Sequence, residues 1–557
     1  MSRSLSSKST LDVLKQDAKR WLKALRSGDT LTAETARRRL HDAWPSAPEE
    51  PTLRDVQHAL AREYGLADWR SVLAALDELA LEQQSHAERV SALLDHGWLG
   101  DAVVARRIAA RFPDVRRDSI FTAAACGEVE LVSQLLAANP ALARATHGDR
   151  AWSALLYVTY SRIDTEHAVT IARLLLDAGA DPNARFDDGW GNPFTAVTGA
   201  IRLGEGARPS HAQAEALVEL LMNSGADPFD TQALYNTSIV RDDVYWTELL
   251  WTHCERQGRT AIWSAIDGAV LNGPIKVGTL NYLLGNAVAN NHLTRAEWLL
   301  NHGASATTLH GYSRQTVHTL ARLAGYSRMA EMLVRHGAQA EALHGERALI
   351  AAIMDTGSEQ TVREMVAADA SLLRSATPLH TAAMHGRTSS VSLLLSLGAD
   401  VNAVDHAGVT ALHRAAHAGA IDTIDVLLAA GADVNRRDHK WHGTPLSWAI
   451  ALKQPHAADR LAQVSQDVRS LARSGRVARL NQVLQEAPAL ANDTLRGVND
   501  PTPLFCLPDD ETDAYEVTRV LLAHGANPSV TNRAGKTAEQ TARLRGLEEA
   551  ADLMVRP

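Results

Sequence analysis

The sequence predicts an all-α solenoid of short stacked repeats, and three observations carry that expectation. Two segments, TPLHTAAMHGRTSSVSLLLSLGADVNAVDHAG from Thr377 and TALHRAAHAGAIDTIDVLLAAGADVNRRDHKW from Thr410, align without a gap at an offset of 33 residues. Glycines punctuate both at matching places, Gly386 and Gly398 in one, Gly419 and Gly431 in the other. The chain has 557 residues, too many for one core when compact domains run to ~100–200 residues.

Each segment opens on a threonine suited to capping a helix. A short alanine-rich helix follows and ends near Gly386 or Gly419, where a helix C-terminus favours glycine. A second helix carries Val391, Leu394 and Leu395, or Ile424, Leu427 and Leu428. It stops at Gly398 or Gly431, and the chain returns through a polar loop. One such unit cannot bury its apolar face alone, so neighbours must stack into a shared core.

The pattern T-P-L-H-x-A-A-x-x-G, followed by L-L-x-x-G-A-D-x-N, resembles the ankyrin repeat. Weaker copies extend it: LLLDAGADPN ending at Asn183, LLMNSGADPF at Phe229, LLNHGASA at Ala306, LVRHGAQA at Ala340 and LLAHGANPS at Ser529. Other units replace the G-A-D loop, as in LLAANPALA, MVAADASLL and VLQEAPALA. The resemblance implies an ankyrin-repeat solenoid of about twelve to thirteen units over 86–557, with residues 534–557 as a C-terminal cap. Residues 231–282 are too long for one repeat and read as a degenerate unit with an insertion, a secondary site candidate. Residues 1–85 differ. Three or four amphipathic helices, divided at Pro45, Pro48 and Pro51, read as an N-terminal cap or a separate docking module.

Composition narrows the function classes. A formal net charge of -9 argues against generic nucleic-acid binding, which favours a basic surface. No apolar run reaches the length of a membrane span, and the MSRSLSSKST start has no secretory h-region. Three widely spaced cysteines make neither a disulfide framework nor a thiolate zinc site, and a cytoplasmic, reducing location fits them. Tryptophan (12) outnumbers phenylalanine (6), and indoles are enriched at binding hot spots.

The candidate chemistry is thin. His413 and His417 share a helix face at i, i+4, as zinc-binding histidines do, but no general-base glutamate accompanies them. His413 and His380 also fall at the histidine of T-P-L-H, where the resemblance implies a side chain that braces the loop. The G-K-T at 535–537 would end a phosphate loop only if a glycine stood at 530, and Val530 stands there. No catalytic residue, cofactor or metal site is assigned.

Recognition is the stronger reading. Aligning Thr444-Pro445-Leu446 with Thr410-Ala411-Leu412 leaves one extra residue in the loop DHKWHG. Trp441, beside His442, is therefore expected at a protruding loop tip. Trp152 and Trp190 precede other repeat helices in the same way. Tyr157 and Tyr160 fall at variable, groove-facing positions, and His406 and His439 at equivalent tips. The expected function is a monomeric, non-enzymatic scaffold. It would bind a protein partner through its concave groove and loop tips, without nucleic acid, membrane or cofactor. An enzyme or small-ligand site in the groove or in 231–282 is the alternative. An exported effector acting on a host protein is another.

Overall fold

The computed structural model describes residues 3, 5, 9–99, 102–187, 192–204, 206–266, 276–355, 359–494 and 501–555. It is mostly helical and divides into two compact units. One joins residues 1–80 to residues 343–557, and the other spans 81–342.

In the first unit, helices Leu11–Leu25, Thr30–Ala43 and Leu53–Glu63 pack with the start of Trp69–Gln83. The three prolines lie between Thr30–Ala43 and Leu53–Glu63, since proline cannot continue a helix. Thr52 restarts the chain with a capping box to Asp55. Leu14, Trp21, Leu22, Val56 and Leu60 form the core. The Trp21 indole N–H donates to the Ala36 carbonyl at 3.1 Å.

The repeats of this unit are helix pairs. Thr377–Met384 precedes Thr388–Ser396, and Ala411–Ala418 precedes Ile421–Ala429. Pro445–Ala451 then precedes Pro455–Ala462, and Val468–Arg473 precedes Val477–Glu486. The first helix of each pair packs on the first helix of the next. Val391, Leu394, Ile424 and Leu427 are fully buried between them. Thr410 caps its helix as expected, accepting from the His413 N–H. Thr377 does not: its helix begins one residue earlier, with Ala376 at the cap and no side-chain cap bond.

The repeated asparagine explains how neighbours register. Asn402 Nδ2 donates to the Gly431 carbonyl at 3.1 Å, and its Oδ1 accepts from the Asp433 N–H at 2.7 Å. Asn492 does the same with Gly525 and Asn527, both at 2.7 Å. Each amide satisfies one donor and one acceptor of the next loop, which no apolar residue can do.

The N-terminal helices also meet the end of the chain. Lys19 Nζ lies 3.3 Å from Glu511 and donates to the Gly546 carbonyl at 3.0 Å. The Arg26 guanidinium sits 5.2 Å from the Tyr515 ring centroid and 3.9 Å from the Glu549 carboxylate.

The second unit repeats the helix-pair plan. Ile120–Ala125 precedes Val129–Ala138, Ala154–Tyr160 precedes Ala168–Asp177, and Ala196–Ile201 precedes Ala214–Asn223. Short antiparallel ladders, Thr146–His147 with Trp152–Ser153 and Arg185–Phe186 with Phe194–Thr195, form two loop hairpins. Asn183 reaches Gly225 and Asp227 as Asn402 reaches its neighbours. In the long 231–282 region, Thr231–Ser238 pairs with Tyr245–Arg256. The next unit already begins at Thr279, so the extra length falls in the link 257–278. Residues 267–275 of that link lie outside the described residues.

Candidate functional site

The site begins with the extra loop residue. In the 33-residue repeat, Asp405 turns the loop by accepting from the Ala407 and Val409 N–H groups, and Gly408 takes φ +73°. The next loop has one residue more between Asp438 and Thr444. Asp438 accepts from the N–H groups of Lys440 (2.8 Å), Trp441 (2.7 Å) and Gly443 (2.9 Å). The additional residue is absorbed at His442, which takes φ +53°, a left-handed conformation few non-glycine residues adopt. The consequence is a side chain pushed outward: Trp441 is 62% exposed.

Beneath it stands Trp448, on helix Pro445–Ala451. Its indole N–H donates to Asp438 at 3.0 Å, and its ring lies edge-on to Trp441 at 5.6 Å. The two indoles line a pocket of about 710 Å³ with Ile450, Ala451, Leu452, His417, His442 and Cys506. Four arginines also line it: Arg414, Arg437, Arg469 and Arg473. The lining carboxylate is Asp467, which is engaged. It receives Arg437 at 2.8 Å and the Thr444 hydroxyl at 2.7 Å. Burial pushes its pKa upward, but Arg437 and the Ser470 and Thr444 hydroxyls prevail and hold it below the usual range. Asp438 is likewise held low, because its N–H donors and the Trp448 indole outweigh partial burial. Arg414 pairs with Asp405 at 3.0 Å. Arg469 is buried and donates to the Pro501 carbonyl at 3.2 Å. Arg473 is exposed, with Nη2 3.6 Å from Cys506 Sγ.

Of the residues expected at loop tips, Trp441 and His442 line this pocket. His406 and His439 are exposed, and the His439 ring covers Gly408, whose bare Cα leaves the space it fills. Among the described residues no cluster of three metal-ligating side chains occurs. His413 braces the loop: its Nδ1 accepts from the Thr410 N–H at 3.2 Å, and its Nε2 donates to the Gly443 carbonyl at 3.1 Å. His380 repeats this towards the Ala403 carbonyl. Gly535-Lys536-Thr537 is a helix start, where Thr537 forms a capping box with Gln540.

Three expectations fail. Trp152 is not a tip residue but 1% exposed. It packs against Phe186 (4.7 Å), Tyr160 (5.1 Å), Tyr157 (5.2 Å) and Trp98 (5.7 Å). Tyr160 is buried and donates to the Thr195 carbonyl at 2.9 Å. Tyr157 is buried as well, which pushes its phenol up to about 12. The cause is the hairpin: pairing His147 with Trp152 turns the indole into an aromatic core instead of outward. Trp190 lies outside the described residues.

Trp448 and the arginines escaped sequence reasoning. A signal existed for two of them. Thr381, Arg414 and Trp448 occupy the same x of T-P-L-H-x-A, a variable position of the first helix. Arg437 takes the place of Val404 one repeat earlier. No local pattern joins Arg473 or Cys506 to the site, because they come from later units.

Residues 357–438 match the family model for ankyrin repeats, in three copies. No curated protein matches the chain. Solved structures do match it. Among them is the Bd0816 predatory endopeptidase from Bdellovibrio bacteriovorus in complex with immunity protein Bd3460. That match has 22% identity over 32% of this chain and 97% of that chain, at a TM-score of 0.26. A likeness at this level assigns no activity to the present chain.

Proposed function

We propose that this chain, an ankyrin-repeat protein over residues 357–438 at least, is a non-enzymatic interaction module that holds a protein partner. Its helix pairs outside that stretch would belong to the same solenoid. The partner would dock on the face that bears the Trp441–Trp448 pocket, because ankyrin repeats generally mediate protein–protein interaction.

The observation that carries the reading is an exposed indole held beside a pocket of about 710 Å³ by a hydrogen-bonded loop. Asp438 clamps that loop through three backbone N–H groups and the second indole. A preformed anchor binds without the ordering cost of a flexible one. Non-enzymatic action is supported by how the lining carboxylate is used. Asp467 is committed to Arg437 and to the Thr444 and Ser470 hydroxyls.

The test is retention from an extract of the source organism on the immobilised full chain, compared with Trp441→Ala. A specific protein bound by the first and lost by the second is expected. Equal retention by both would move the partner to another face, and no specific protein would overturn the reading.

A further inference from the structure

We propose that the pocket takes an acidic peptide segment of the partner, in which an aromatic or branched aliphatic side chain lies within one or two residues of an aspartate or glutamate. The proposal rests on the reading that this face binds protein, and it adds the chemistry of what is bound.

The apolar half of the site is built by Trp441 and Trp448, with Ile450, Ala451 and Leu452 beside them. Indoles edge-on to each other leave a ring face for a third apolar group, which suits an aromatic or branched side chain. The other half is cationic. Arg414, Arg437, Arg469 and Arg473 line the pocket against one lining carboxylate, Asp467, in a chain whose formal net charge is -9. Asp405 stands against Arg414 from outside the lining, and Lys440, 4.5 Å from the Trp441 ring centroid, lies in the loop that Asp438 clamps. The local sign is opposite to that of the molecule as a whole, so the pocket attracts an anionic group that the rest of the surface repels.

The extent of the charge selects among anions. One small cationic wall matches one or two carboxylates. A nucleoside triphosphate or an RNA backbone would bring more negative charge than this wall offsets, and RNA needs a basic track rather than one pocket. Arg473 is the exposed member of the four, and a guanidinium can meet a carboxylate through two parallel N–H donors. A side chain seated on the indoles therefore places a neighbouring carboxylate at the arginine rim. About 710 Å³ is room for a few residues of extended chain, within the usual range of ligand pockets, roughly 300–1,000 Å³.

The experiment is selection of random dodecapeptides on phage against the full chain, with recovered sequences synthesised and titrated by fluorescence anisotropy. Trp441→Ala, Arg473→Glu and the milder Arg473→Gln are compared after circular dichroism shows that each is folded. The recovered pool is expected to pair Asp or Glu with Trp, Phe, Leu or Ile. Affinity should fall about tenfold or more in Trp441→Ala and in Arg473→Glu, less in Arg473→Gln, and should weaken as salt rises. A neutral or basic pool would overturn the proposal, as would acidic peptides that bind both variants unchanged, or no recovered peptide. If a protein captured from extract still required Trp441 in any of those cases, the broader reading would stand and only the peptide chemistry would fall.

Discussion

Trp152 and Trp441 each precede a repeat helix, yet one is 1% and the other 62% exposed. Substitution separates them. Trp152→Ala removes the centre of an aromatic core and is expected to cost about 3–5 kcal/mol. Trp441→Ala removes a surface ring and should change stability by less than about 0.5 kcal/mol, while partner affinity falls by about 2 kcal/mol. Chemical denaturation of the two variants checks the first pair of values, and titration of the partner checks the last. The bracing histidine makes a pH prediction. Burial holds His413 below its ordinary value of 6.5, and its Nδ1 accepts from Thr410, so the folded state keeps it neutral. The unfolded chain binds the extra proton below pH 6.5, so stability is full above that pH and is lost as pH falls towards the folded pKa. His413→Gln should remove up to about one proton from the uptake on unfolding, measured as a shallower change of urea midpoint between about pH 7.5 and about pH 5.5. An unchanged pH slope would show that His413 is not neutral for this reason.

At the scale of the element, the repeat is joined through its asparagine. Asn402→Ala leaves the Asp433 N–H and the Gly431 carbonyl to water in place of their amide partner, an expected loss of about 1 kcal/mol. Hydrogen exchange at Asp433 should speed up while exchange inside Thr377–Met384 stays slow. The G-A-D-x-N pattern makes this element legible in the sequence, because its glycine takes a positive φ and its aspartate and asparagine side chains bond backbone groups of the turn and its neighbour. The loop DHKWHG is half legible. Counting residues shows that one is extra, and Asp438, Trp441 and His442 all lie within it. Sequence does not say that His442 takes the left-handed conformation, which is decided by how Asp438 holds three N–H groups at once.

At the scale of the molecule, residues 1–80 belong to one compact unit with residues 343–557, although residues 81–342 separate them in sequence. Lys19 is mostly buried against Glu511, so the contact is more than a surface ion pair. Lys19→Ala is expected to cost about 1 kcal/mol and to speed hydrogen exchange in both Leu11–Leu25 and Glu548–Val555. A change confined to the first helix would show that the contact carries no coupling. Nothing in the pattern of the first 85 residues announces this partner, since an amphipathic helix specifies that it has an apolar face and not what covers it.

By itself the sequence determined the repeat, the helix pairs and the extra residue in the loop of Trp441, while the resemblance to ankyrin repeats implied the loop bracing by His380 and His413. All of these depend on interactions within one unit or between adjacent copies, where spacing along the chain fixes distance in space. Only the tertiary structure decided that Trp152, Tyr157 and Tyr160 are core. It alone gathered Arg414, Arg437, Arg469, Arg473 and Trp448 around one pocket, and it alone brought Lys19 to Glu511. Burial and charge convergence depend on which neighbours close over a residue, and those neighbours come from other units, so the repeat pattern marks some of the positions but not the charge or burial that results.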